Sequence, residues 1–150
     1  MTMNMREWTT LPQVRKDAWW LWTGLQSEIQ HLCAMLLEPD VFECPSLPPL
    51  EPGDTLSFIQ PRYEQMVFAY GAAERTYMMN VEFDPDMLSI RFAIDNEPYS
   101  HELLIVRRRK QSLLMDGPGF LLTGDQGAAH ILRSLLVGWR PTIYDTVPAA

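Results

Sequence analysis

The sequence predicts an α+β fold: a long N-terminal helix, an antiparallel meander of five to seven strands and a C-terminal helix, stacked as a two-layer sandwich. Three observations predict it. An apolar stripe of helical period runs through the N-terminal region, alternation of period two replaces it from Thr55, and a second helical stripe follows the last strand signal. With 150 residues, 47% of them apolar, one domain with a substantial core is expected, because a chain of this length buries roughly two thirds of its unfolded surface.

The first helix is expected over 12–37. Pro12 suits a first helical turn, and Ala18, Trp22, Leu25, Ile29, Leu32 and Leu36 follow at spacings of 4, 3, 4, 3 and 4. Glu38-Pro39 stops it, since the residue before a proline leaves the helical region. Five prolines fall in the sixteen residues 39–54, so this segment reads as an extended crossover on the fold, with Val41, Phe42 and Leu47 partly buried.

Strands come next. TLSFI and EQMVFAYG read as two, joined to a third by residues 70–75. TYMMNVEF and LSIRFAID form a hairpin about Asp84-Pro85-Asp86-Met87. The expected register opposes Phe83 to Leu88, Val81 to Ile90, Met79 to Phe92 and Tyr77 to Ile94, so that the apolar side chains share one face. After the loop NEPYSH, HELLIVRRRKQSLLMD is either one long bent strand or two strands turning near Arg109-Lys110. Asp116-Gly117-Pro118-Gly119 is a turn signal, and FLLT a short last strand within a sheet spanning 55–122. Thr123 and Gln126 have capping-box spacing. Ala128, Ile131, Leu132, Leu135, Leu136 and Trp139 give a helix at 124–138 its apolar face, and an extended tail at 139–150 is expected beyond it.

This order of helix, antiparallel meander and helix resembles that of the frataxin family and, more loosely, that of small acidic secretion chaperones. The resemblance implies the sandwich. Iron binding in frataxin-like proteins uses an acidic stripe on the first helix, whereas the helix at 12–37 carries Asp17 and Glu28 as its acids beside Arg15 and Lys16; no residue or function is therefore carried over.

Charge narrows the partner classes. The net charge is −7 and the pI near 4.8, which argues against nucleic acid, whose phosphates require a basic face. Residues 1–37 hold three cations and three anions, residues 38–102 three and thirteen, and residues 103–150 six and three. An acidic middle thus precedes a basic strand. No window reaches the length of an uncharged membrane span, and MTMNMREW lacks a basic region followed by an apolar stretch, so a cytoplasmic location without a membrane partner is expected. In that setting Cys33 and Cys44 read as packed thiols rather than a disulfide or metal pair.

Signatures of chemistry are absent. His31 and Cys33 stand about 200° apart around a helix and cannot close on one ion. His101 is placed at a loop edge and His130 on the polar side of the last helix, so no metal or cofactor is expected. No nucleophile elbow or P-loop occurs, and no catalytic residue is assigned.

Two features remain. AWWLW places three tryptophans within one turn; the stripe takes Trp22, so Trp19 or Trp20 points partly away from the core. It is either covered by the sheet or crossover, or part of an aromatic interface. The cations Arg107, Arg108, Arg109 and Lys110 occupy both faces of any strand that contains them, so they belong at an exposed strand end or turn. At least one is expected to meet a carboxylate of segment 38–102 or of a neighbouring subunit. The expected function is a small acidic non-enzymatic binding protein that contacts a protein partner or itself through a sheet edge, the Trp-rich helix or the basic strand. The alternative is a small-ligand carrier or enzyme with a pocket between sheet and helices, lined by Met66, Met78, Met79, Met115, Tyr70 and Tyr77.

Overall fold

In the computed structural model, which describes residues 5–38, 47–73, 75–95, 100–117 and 120–137, the first apolar stripe forms α1, Met5–Leu36. It starts earlier than the position-12 start that Pro12 suggests. Proline at that point removes a single backbone donor, the one that would reach the Trp8 carbonyl, and the remaining helical bonds carry the path through it. The C-terminal end falls as expected: Leu37 N–H donates to the Cys33 carbonyl at 3.1 Å and Glu38 N–H to that of Met35 at 3.1 Å, just before Pro39. Of the crossover, Leu47 is buried as expected. Val41, Phe42, Cys44, the loop tip 96–99, Trp139 and the tail to residue 150 lie outside the described residues.

The sheet has seven antiparallel strands in sequence order: β1 (Thr55–Arg62), β2 (Gln65–Ala72), β3 (Arg75–Asp84), β4 (Ser89–Ile94), β5 (Ser100–Arg108), β6 (Gln111–Met115) and β7 (Leu121–Leu122). Pro61 sits in the edge strand β1, where the register shifts between Ile59 and Arg62 and a missing N–H costs least. The β3–β4 register differs by two residues from the expected one, opposing Phe83 to Ile90, Val81 to Phe92 and Met79 to Ile94. Leu88 is the reason. The Asp84 carboxylate accepts from the N–H groups of Asp86 and Met87, winding residues 85–88 into a four-residue turn that ends with Leu88 at φ 50°. A slip of two preserves the facing, so the same apolar residues still point inward.

HELLIVRRRKQSLLMD resolves as two strands, with Arg109 and Lys110 as the two-residue loop between Arg108 and Gln111. Both adopt positive φ, 50° and 65°, the primed turn whose twist suits a hairpin. The closing helix is α2, Gly124–Val137. Its capping box forms as spaced: Thr123 N–H donates to Gln126 Oε1 at 3.0 Å, and Gln126 N–H to Thr123 Oγ1 at 3.3 Å.

Both helices cover the same face of the sheet and pack on each other. Trp22, Leu25 and Ile29 of α1, Ile131, Leu132 and Leu135 of α2 and Phe68, Met79, Val81, Ile90, Leu103 and Leu114 of the strands belong to one core, all buried. Gly127 lets α2 approach β6: a Cβ there would fall 2.3 Å from Leu114 Cδ1. The other face carries the polar grouping around Arg91, which faces Glu82 across β3–β4 and pairs with Asp84 at 3.4 Å and Glu102 at 3.8 Å.

Candidate functional site

Two arrangements of side chains stand out, one on the helical surface and one beneath it. The first begins with Trp19, Trp20 and Trp22 of α1, which separate as the 100° turn per residue dictates. Trp22 is fully buried and stacks on Phe83 at 5.6 Å, its indole N–H donating to the Tyr63 carbonyl at 2.8 Å. Trp19 lies on the flank, edge-on to Phe83 at 4.9 Å and tilted against Tyr63 at 5.5 Å. Trp20 faces outward with 66% of its surface exposed. It is the one that points away from the core.

The turn between β1 and β2 supplies the opposite wall. Besides Trp22, the Gln26 amide donates to the Tyr63 carbonyl at 2.7 Å, and the Tyr63 hydroxyl is hydrogen-bonded to Thr23 Oγ1. The turn is thereby clamped to the helix. Between them lies an open cleft of about 590 Å³ lined by Arg15, Lys16, Trp19, Trp20, Thr23 and Tyr63. Aromatic walls with two cations at one end accept an apolar side chain flanked by negative charge.

The basic stretch reaches the same helix from the other side. Arg107, Arg108, Arg109 and Lys110 are all exposed at the β5–β6 tip, the strand-end position expected of them. Arg107 pairs with Asp17 at 2.9 Å. Its partner is thus on α1 and not in the acidic segment 38–102, because the tip projects beyond the middle strands and over the helix. Asp17 and Trp20 are three apart and share a helical surface, so Trp20 stands between the cleft and the basic tip.

The second arrangement was not legible as a motif. His101 of β5, Asp116 just after β6 and His130 of α2 offer ligand-type atoms that all lie within 4.8 Å of one another. His101 Nε2 is 2.8 Å from Asp116 Oδ1, and His130 Nε2 is 3.4 Å from Asp116 Oδ2. The carboxylate is nearly sealed, its side chain 5% exposed, and Oδ2 has no hydrogen-bond partner among the described residues. Phe92 closes one side, its ring 5.0 Å from that of His101 and 6.0 Å from that of His130.

This corrects the expected positions of both histidines. His101 is half-buried rather than at a solvated loop edge, and His130 turns inward rather than onto a polar side. Burial pushes the His130 imidazole below its ordinary value, more strongly than the Asp116 carboxylate raises it; His101 and Arg133 add to the lowering. The signal available in the sequence was strand phase. His101 alternates inward with Leu103 and Ile105, and Asp116 with Leu114, so period two puts an imidazole and a carboxylate on the core face.

Other candidates disperse. His31 is exposed while Cys33 is buried, and burial pushes its thiol up to about 12, which leaves it an unreactive packed group at neutral pH. Met66 and Met79 are fully buried in the core, and Met78 emerges on the opposite face of the sheet. Among the described residues no helix is long and apolar enough to cross a membrane. Comparison with known proteins finds no matching family model, no matching curated protein and no matching solved structure.

Proposed function

We propose that the protein is a non-enzymatic binding module that docks an acidic segment of a partner protein across α1, with an apolar anchor in the Trp19–Trp20–Tyr63 cleft. The exposed Trp20 at the rim of that cleft is the observation that carries this reading. A solvated tryptophan is costly to leave uncovered and is over-represented among residues that dominate binding energy. Lys16, Arg15 and the basic tip outnumber the carboxylates beside them, Asp86 against Arg15 and Asp17 against Arg107, and so leave a net positive area on a chain of net charge −7. A two-fold contact between copies would set that area against itself, so a partner of opposite charge fits better than a second copy.

The test is selection of peptides by the wild-type chain, followed by calorimetry of the winners. Selected peptides are expected to pair an aromatic or long aliphatic residue with nearby acids. Trp20→Ala should weaken them at least about tenfold while leaving the fold intact, and higher salt should weaken them further. Winners that bind Trp20→Ala as tightly as wild type contradict the reading. A concentration-dependent dimer abolished by the same substitution would identify the occupant as a second copy.

A further inference from the structure

We propose that His101, Asp116 and His130 form a binding site for one divalent transition-metal ion of the zinc class. The three side chains come from separate elements, yet the packing of α2 across β5 and β6 places all their ligand-type atoms within 4.8 Å of one another. Tetrahedral ligands at about 2.0–2.1 Å from a metal stand about 3.3–3.4 Å apart. The carboxylate–imidazole distances, 2.8 Å to Oδ1 and 3.4 Å to Oδ2, lie near that spacing, and an ion between the rings would replace the His101–Oδ1 hydrogen bond by coordination.

The carboxylate is the second, independent indication. Asp116 is nearly sealed from solvent, and among the described residues Oδ2 has no hydrogen-bond partner although it faces the His130 ring. A buried anion with unfilled acceptor capacity calls for positive charge, and a divalent ion supplies it while engaging both imidazoles. Two nitrogen donors and one oxygen select zinc or its neighbours over calcium and magnesium, which take oxygen ligands. Three protein ligands leave one tetrahedral position for water or an exogenous ligand. The Phe92 ring against both imidazoles holds them in place and lowers the local polarity. Exposed Arg133, one turn from His130, is the unfavourable charge nearby.

The site stands apart from the basic tip: six strand steps along β5 lead from His101 to Arg107, about 20 Å at 3.3 Å per residue.

The 150-residue chain, stripped with chelator and titrated with Zn²⁺ by calorimetry and with Co²⁺ by absorption, tests the assignment. Expected are one ion per chain, a tetrahedral Co²⁺ visible spectrum displaced by Zn²⁺, and a higher thermal midpoint with Zn²⁺ present. His101→Gln and His130→Gln should each weaken the ion at least about a hundredfold, and the control His31→Gln should leave it unchanged. Should a glutamine variant fail to fold, the imidazole ¹⁵N shifts of wild-type protein decide the matter, since Zn²⁺ must move those of His101 and His130 and not that of His31. Folded wild-type protein that takes up neither ion stoichiometrically, or binding that persists in both glutamine variants, overturns the proposal.

Discussion

The two ends of β5 carry opposite arrangements of charged and polar side chains. At one end, four consecutive cations crowd a two-residue turn and remain exposed, with Arg107 held by Asp17. At the other, single residues far apart in sequence, His101, Asp116 and His130, converge under α2 with the carboxylate sealed. Contiguity in sequence therefore produced a solvated surface. Convergence across elements produced the chemically capable cluster. The physical reason is that neighbouring residues of a strand face opposite ways, so a run of like charges cannot all be inside, whereas one polar residue per element can be placed in phase with the core.

The largest effect that separates the two ends is on stability. Asp116→Ala removes the hydrogen-bond partner of the His101 imidazole and the carboxylate beside His130, and should cost about 1.5–3 kcal/mol in urea unfolding, the range for a hydrogen bond to a charged group. A cost near zero would place the cluster in solvent and erase the contrast. At the tip the expected effects are smaller and of mixed sign. Arg109 and Lys110 both hold positive φ without being Asn or Gly, so replacing them with Asn-Gly should stabilise the hairpin by about 1 kcal/mol. Arg107→Gln loses one partly exposed ion pair and should change stability by only about 0–1 kcal/mol, less at high salt. If Arg107→Gln unfolds the protein, the tip belongs to a core network after all.

How far the fold was legible follows from the same contrast. Periodicity is local, so the stripe from Ala18 to Leu36, the β2–β4 alternation and the Thr123–Gln126 cap all carried their own evidence. The β3–β4 pairing slipped by two because nothing in the alternation says whether Leu88 ends a turn or begins a strand; the hydrogen bonds to Asp84 decide it. Trp20 was legible as one of two outward candidates, since Trp22 completes the stripe. The cleft was not, because its far wall, Tyr63, arrives from a turn whose docking depends on Trp22 and Gln26. For the cluster, the expectation set His101 at a loop edge and Asp116 in a turn although strand phase puts both inward, and His130 sits on the helix flank, where only the packing of α2 over Phe92 turns it inside.

The central claim, that the fold buries His130 against Asp116 while leaving the other end of β5 in water, is tested most directly by titrating the His130 imidazole by ¹⁵N NMR in metal-free protein. Burial disfavours the charged ring, so the account predicts a pKa below the ordinary imidazole value of about 6.5. The sign for stability follows: the unfolded chain takes up the proton first, so this contribution is fully present above about pH 6.5 and is lost as pH falls through the folded-state pKa. A His130 that titrates at or above about 6.5 would mean that its ring is solvated or stably ion-paired as a cation, and would contradict the account.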